Sequence, residues 1–349
     1  MSTSYRPVLW YRSKYVYDGV LLVCIVLYIS AFLLLAPLVQ DPTRPVNGSI
    51  LGMRAFGTCA FLMLTAILCI GPLARLDNRF LPLLYNRRHF GVLTCIVALT
   101  HLAYVLNWYY AFSPTPPWEA LLISNTAFGR VLGFPFEIFG LFALICSLIL
   151  AGTSHDLWLN FLGAPLWKRL HLLIYPAYAA AVAHIALGYL QDVDNPGFAL
   201  LACGGALLVA GLHLAAARRP AKEPLPGGDG DWVPVCAVSE IPDKRARIVR
   251  LGPDERAAVF RYGGKLSAVS HACAHQNGPL GEGRIVYGCI TCPWHGYQYR
   301  PEDGCSPPPF TEKIPTYRLK LEGAQVSIDR HAKAPGTYVE PVAIPEALQ

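Results

Sequence analysis

The chain has 349 residues, of which 54% are hydrophobic and only 15% charged, against about a quarter charged in ordinary soluble domains, so a wholly soluble protein is excluded. The net charge of +6 gathers at the ends of apolar runs, the pattern of membrane orientation rather than of nucleic-acid binding, and no nucleic-acid partner is expected. Long apolar runs stop near residue 217 and a soluble composition follows, which predicts a membrane domain over 1–217 and a second, unlike domain after it.

A helix crossing a bilayer core needs about 20 consecutive apolar residues. Six runs reach that length: 18–39, 52–73, 90–112, 131–152, 170–190 and 197–217. They predict a six-helix α-helical transmembrane bundle, contacting lipid on its outer face. The first run follows Arg6, Arg12 and Lys14 with no small-residue cleavage site, so it is read as a span and not a signal peptide. Trp108, Tyr109, Tyr110, Trp118, Trp158 and Trp167 stand at run ends, where interfacial aromatics belong. Basic residues concentrate before the first run and between the second and third (Arg75, Arg79, Arg87, Arg88). They recur between the fourth and fifth (Lys168, Arg169) and after the sixth (Arg218, Arg219, Lys222). The positive-inside rule therefore predicts a multi-pass protein of the cell membrane with both termini, and the soluble domain, in the cytoplasm. Of the 11 cysteines about half lie within apolar runs, where they serve as small buried hydrophobes.

Polar residues inside such runs are functional candidates. His101 lies in the third run and His184 in the fifth, with His171 at the inner end of the fifth and His89 opening the third. Neutral imidazole is the usual axial ligand of haem iron in a membrane bundle. Runs three and five point the same way, so His101 and His184 can face each other at matched depth. His171 lies 13 residues before His184, a rise of about 20 Å, which suits a second haem. On an ideal helix the two would point about 140° apart, but Pro176 between them can re-aim one. For His89 an interfacial charge beside Arg87 and Arg88 is the competing reading.

The stretches RRHFGVLTCIVALTH (87–101) and LWKRLHLLIYPAYAAAVAH (166–184) resemble the ferric-reductase-like transmembrane family, which includes NADPH oxidases and ferric reductases. The resemblance covers about residues 50–217. It implies b-type haem with His101 and His184 as ligands, His171 as a ligand of a second haem, and electrons crossing the membrane. His89 is the fourth candidate haem ligand, and its spacing to His101, shorter than in the two-haem oxidases, is where this chain departs from the family pattern.

Residues 218–230 (RRPAKEPLPGGDG) read as a linker. From Asp231 short alternating runs broken by turns predict a small all-β domain over 231–330, with 331–349 as a C-terminal tail. Within it lie Cys273-x-His275 and Cys292-x-x-His295, each after a strand-like run. Two thiolates and two imidazoles suit either a Cys₂His₂ zinc site or a [2Fe–2S] cluster with thiolates on one iron and imidazoles on the other. CAHQNGPLGEG and CPWHGYQY resemble the Rieske family across 231–330, and the resemblance implies the iron–sulfur cluster. The Rieske proteins of respiratory cytochrome bc complexes carry a disulfide between the cluster loops and a serine hydroxyl bonded to a cluster sulfur. Here Gly278, Trp294 and Tyr297 occupy those positions. Fewer hydrogen bonds to sulfur imply a potential near the low end of the Rieske range, about −150 mV. Cys289 and Cys305 are expected to pack the core, and SPPPF (306–310) to cover the cluster.

Together these readings predict a membrane electron conduit, an oxidoreductase fed at the cluster by a cytoplasmic reductase or ferredoxin. Its acceptor would lie outside: ferric iron, oxygen, quinone or a protein. No Gly-x-Gly-x-x-Gly after a strand marks a flavin or nicotinamide domain. A quinone-linked respiratory protein and a haem-free membrane anchor for the cluster domain are the alternatives. A Rieske oxygenase would need a further iron held by two histidines and a carboxylate, and only His331 follows His295.

Overall fold

Asn47 ends the first polar connection and starts the second helix, its side chain accepting the Ser49 amide at 2.8 Å and satisfying a donor that the first helical turn leaves open. The structure, a computed structural model, describes residues 12–39, 46–84, 86–191, 197–218, 231–252, 255–275, 278–293 and 296–348. The chain divides into two compact units, one spanning Arg12–Arg219 and the other holding the β-structure of Pro220–Gln349. The expected linker, apart from Arg218, lies outside the described residues.

The first unit is helical: α1 (Arg12–Leu35), α2 (Gly48–Leu76), α3 (Arg87–Phe112), α4 (Pro117–Ile123), α5 (Glu137–Gly152), α6 (Asp156–His171), α7 (Ile174–Tyr189) and α8 (Gly197–Arg218). Helix α2 is its axis. Phe61, Leu64, Leu68 and Cys69 pack with Tyr178 of α7 and Val209 of α8. Cys59 and Met63 pack with Val97 of α3 and with Leu21 and Ile25 of α1. Polar side chains inside this apolar packing pair with one another, as burial demands. Thr65 Oγ1 and Tyr178 Oη lie 3.0 Å apart, and Tyr28 Oη donates to Thr58 Oγ1 at 2.8 Å. Val20, Val23, Val26 and Leu27 of α1 are each more than half exposed, an apolar face suited to lipid.

Among the described residues five helices are long and apolar enough to cross a membrane: Tyr15–Leu38, Gly48–Leu76, Arg87–Phe112, Arg169–Tyr189 and Gly197–Arg218. The protein is thus a membrane protein by its helices, with five such spans and not the expected six. The fourth run supplies only the 16 residues of α5, about 24 Å of helix against a core of about 30 Å. Residues 131–136 of that run form turns instead. Gly133 has φ +79°, a conformation glycine adopts without strain. Its amide donates to Gln191 Oε1 at 2.6 Å, while Gln191 Nε2 donates to the Val131 carbonyl at 2.8 Å. One side chain from the end of α7 thereby pairs backbone groups that an apolar environment would otherwise leave open. The fifth run is also interrupted. It breaks at Leu172–Leu173 between α6 and α7, with Pro176, which lacks the N–H of a helix interior, in the first turn of α7.

The second unit contains β1 (Trp232–Ala237), β2 (Ala246–Arg250), β3 (Arg256–Tyr262), β4 (Lys265–Ser270), β5 (Arg284–Val286), β6 (Cys289–Thr291), β7 (Gln298–Tyr299), β8 (Thr316–Tyr317), β9 (Leu319–Glu322), β10 (Gln325–Asp329) and β11 (Val342–Ala343). They form antiparallel sheets in the orders β1-β10-β9, β11-β4-β3-β2 with β8 on β4, and β5-β6-β7. Val233, Val259, Leu266, Val326 and Ile328 centre one core. A second core gathers Phe260, Val269, Leu280, Ile290 and Tyr299 with the two cysteines of the paired motifs. Asp329 is buried beside Arg318. Burial alone would raise its carboxyl, but the His331 amide and the Arg318 guanidinium outweigh that and hold it below the usual range. The expected tail is part of this fold. Val342 and Ala343 pair with Leu266 and Lys265, and Ile344, 3% exposed, enters the first core, because an apolar Val-Ala-Ile triplet gains more from burial than from solvent.

Candidate metal centres

The two paired motifs fold into matching loops. In the first, after β4, the Cys273 amide donates to the Gly278 carbonyl at 2.9 Å and the Leu280 amide to the His271 carbonyl at 2.8 Å. In the second, between β6 and β7, the Cys292 amide donates to the Tyr297 carbonyl at 2.7 Å and the Gly296 amide to the Cys292 carbonyl at 2.9 Å. Each cysteine amide thus closes on the carbonyl five residues ahead. Cys273, His275 and Cys292 are all buried. His295, with Trp294, lies outside the described residues.

Aromatic groups surround these side chains. Tyr297 stacks on His275, and Phe310 meets Tyr297 edge-on with centroids 5.0 Å apart. The Tyr297 hydroxyl donates to Glu312. Tyr299, which the sequence reading did not single out, places its hydroxyl 3.4 Å from Cys273 Sγ. Burial, with the cysteine sulfurs nearby, pushes the Tyr299 hydroxyl far above its ordinary value, so it remains a proton donor to sulfur. The signal available was the second tyrosine of CPWHGYQY. Of the two remaining cysteines of this unit's later half, Cys289 is buried and Cys305 half-buried.

Among the described residues no three His, Cys, Asp or Glu side chains converge closely enough to hold a single metal ion. A two-iron cluster does not require it, since its thiolates and imidazoles sit on different irons. Paired Cys/His loops, buried sulfurs and a hydroxyl donor beside one of them fit that group.

A second candidate site lies among the helices. The rings of His101 on α3 and His184 on α7 have centroids 6.3 Å apart and planes 80° apart. His101 Nδ1 donates to the Met53 carbonyl of α2 at 2.8 Å, and His184 Nδ1 donates to the Phe136 carbonyl at the start of α5 at 3.0 Å. A proton fixed on Nδ1 leaves the Nε2 lone pair of each ring to bind metal. Two imidazoles sharing an iron at about 2.0–2.1 Å, with each ring centre about 1.1 Å beyond its nitrogen, have centroids a little over 6 Å apart. The two residues fit a haem, whose iron His101 and His184 would hold. The other two histidines have different surroundings. His171 stacks on Trp167 with centroids 3.7 Å apart, and its Nε2 lies 3.3 Å from Thr153 Oγ1. His89 Nδ1 is 2.8 Å from Asp18 Oδ2 and 3.1 Å from Asn86 Nδ2.

Comparison with known proteins agrees with both halves. Residues 231–318 match the family model of the Rieske [2Fe-2S] domain, a stretch that includes all four motif residues. The C-terminal domain belongs to the Rieske family. Residues 54–182 match the ferric reductase like transmembrane component. That match includes His101 and His171 and stops two residues short of His184. The Rieske portion is 33% identical over 98 residues to a 3-phenylpropionate/cinnamic acid dioxygenase ferredoxin subunit of Photorhabdus laumondii, covering 27% of this chain and 90% of that one. It is 42% identical over 66 residues to cholesterol 7-desaturase of Xenopus laevis, covering 18% of this chain but only 14% of the desaturase. A chain from the complex of reduced oxygenase and oxidized ferredoxin in carbazole 1,9a-dioxygenase aligns at 25% identity with a TM-score of 0.29, covering 30% of this chain and 99% of that one. The Rieske domain and the ferric-reductase-like membrane domain together indicate electron transfer.

Proposed function

We propose that this protein is a transmembrane electron conduit. It holds a [2Fe–2S] cluster through Cys273, His275, Cys292 and His295 and a b-type haem through His101 and His184, with His171 the candidate ligand of a second haem and His89 a weaker one. The observation that carries this reading is the His101–His184 pair, whose 6.3 Å ring separation and twin Nδ1–H donors suit one iron between two Nε2 atoms. Bound at these residues, the cluster and the haem supply one-electron redox chemistry that no side chain here has.

The chain's own groups position and insulate. The Met53 and Phe136 carbonyls hold the imidazole tautomers, the surrounding apolar helices exclude water, and Tyr299 offers a proton to Cys273 sulfur. The basic residues Arg75, Arg79, Arg87, Arg88 and Arg169 support a cytoplasmic cluster domain under the positive-inside rule. Likeness to a dioxygenase ferredoxin subunit supports a cluster loaded by a cytoplasmic reductase or ferredoxin. Electrons then leave toward an acceptor on the outer face, either a metal ion, oxygen, a quinone or a protein.

The test is the haem-to-polypeptide ratio of detergent-purified protein, from dithionite-reduced spectra of wild type and His184→Ala. One or two haems in wild type, with at least one lost in the variant, is the expected result. Wild type without haem, from cells with ample haem, would leave the helices as an anchor and end the conduit reading.

A further inference from the structure

The two haem-binding histidines are held by the same local device. In both, the histidine follows its partner carbonyl by 48 residues, and a helical glycine stands four residues after that carbonyl: Gly57 after Met53, Gly140 after Phe136. In a helix a side chain leans back over the turn before it, so the residue at i+4 covers the carbonyl at i. Glycine leaves it bare. A Cβ at position 57 would lie 2.8 Å from His101 Nδ1 and 3.0 Å from its Cε1. At position 140 it would lie 2.8 Å from both Nδ1 and Cε1 of His184. Close approach by itself is not peculiar to this pair, since a Cβ at Gly52 would meet the Tyr104 ring and one at Gly205 would meet Phe61 at 3.0 Å. Gly57 and Gly140 are the two that press on these imidazoles, whereas Gly71 in α2 and Gly211 in α8 have open space where a Cβ would be.

We propose that Gly57 and Gly140 are positioning residues for a single haem, each baring one helix carbonyl to an imidazole so that both rings turn Nε2 toward one iron with their planes held near perpendicular. The inference rests on the haem reading above. It follows from a carbonyl's second lone pair, which remains open to an imidazole N–H when no side chain covers it. Carbonyl partners of this kind set the tautomer and ring orientation of metal-bound histidines, and their loss typically weakens metal binding about 10–100-fold.

The experiment uses full-length protein in detergent. Electron paramagnetic resonance of the oxidised wild type reads the angle between axial imidazole planes. Near-perpendicular planes give a strongly anisotropic low-spin signal with a larger maximal g value than parallel planes. Gly57→Ala and Gly140→Ala should each lower haem occupancy and move that signal or convert it to high spin, while Gly71→Ala matches wild type in both. If the alanine variants fail to accumulate, the wild-type spectrum alone decides. Haem-bearing wild type with a parallel-plane signal, or alanine variants with wild-type spectrum and occupancy, overturns this inference and leaves the conduit intact. Wild type lacking haem overturns both.

Discussion

Tyr297 lies flat against the imidazole of His275, ring centroids 4.7 Å apart and planes 14° apart, while its hydroxyl donates to Glu312. A phenol has one proton to give, and here a carboxylate takes it. The tyrosine therefore contributes an aromatic cover to the motif histidine and leaves hydrogen bonding to sulfur to its neighbour Tyr299, 3.4 Å from Cys273 Sγ. Two aromatic residues, one residue apart, divide between them shielding and sulfur donation.

That division has a measurable consequence for the cluster potential. With Tyr299 the tyrosine beside Cys273 sulfur and no serine in that role, the midpoint should fall near the low end of the Rieske range, about −150 mV. Tyr299→Phe removes the donor while keeping the ring, and should lower the midpoint further, by on the order of 60 mV, equal to a tenfold bias in a one-electron couple. Potentiometric titration of both proteins checks this. A wild-type midpoint well above zero, or no shift in the variant, contradicts the account.

The ligand set is tested by removing one sulfur. Cys273→Ser should abolish the signal of the reduced cluster and leave haem content at the wild-type level, because the β-rich unit and the helical unit have separate cores. Spectra of the same preparation read both cofactors. Retention of the cluster would remove Cys273 from the set.

The two Cys/His motifs stood out in the sequence because the cysteine and histidine of each lie within four residues, so the pattern is local. His101 and His184, whose rings the structure brings to 6.3 Å, stood out because a histidine in an apolar run is costly and therefore conspicuous. Their supports were not. Met53 and Phe136 act through backbone carbonyls, which carry no side-chain identity, and Gly57 and Gly140 act by lacking a Cβ. The fourth span was misjudged for a related reason. VLGFPF at 131–136 is apolar enough to extend a helix, and the Gln191 side chain that stabilises it as a turn lies about 60 residues away. The docking of residues 342–344 was not foreseen because a two-residue edge strand is too short to show alternation.

Ile344 provides a check on that last point. It is 3% exposed and packs in the core with Leu266 and Val326, so Ile344→Ala should destabilise the β-rich domain by about 2–3 kcal/mol, toward the lower end for a large-to-small core change. The measurement is loss of the cluster's visible absorbance on heating. Unchanged melting would mean that residues 342–344 do not dock in solution.

Glu282 predicts a pH dependence whose sign follows from its burial. It lies partly buried in the turn Leu280–Glu282, and burial pushes its carboxyl from 4.5 up to about 7, with Arg256 only partly opposing. Between pH 4.5 and about 7 the folded domain keeps a proton that the unfolded chain has released. Folded protein then binds more protons than unfolded, so this group's contribution to stability falls as pH rises through that window and is flat below it. Glu282→Gln removes the titration and nothing else charged. Melting temperature of wild type relative to Glu282→Gln should therefore decline steadily from pH 4.5 to 7.5, a comparison in which every other titrating group cancels. Parallel curves would show that the Glu282 carboxyl is solvated in the folded protein.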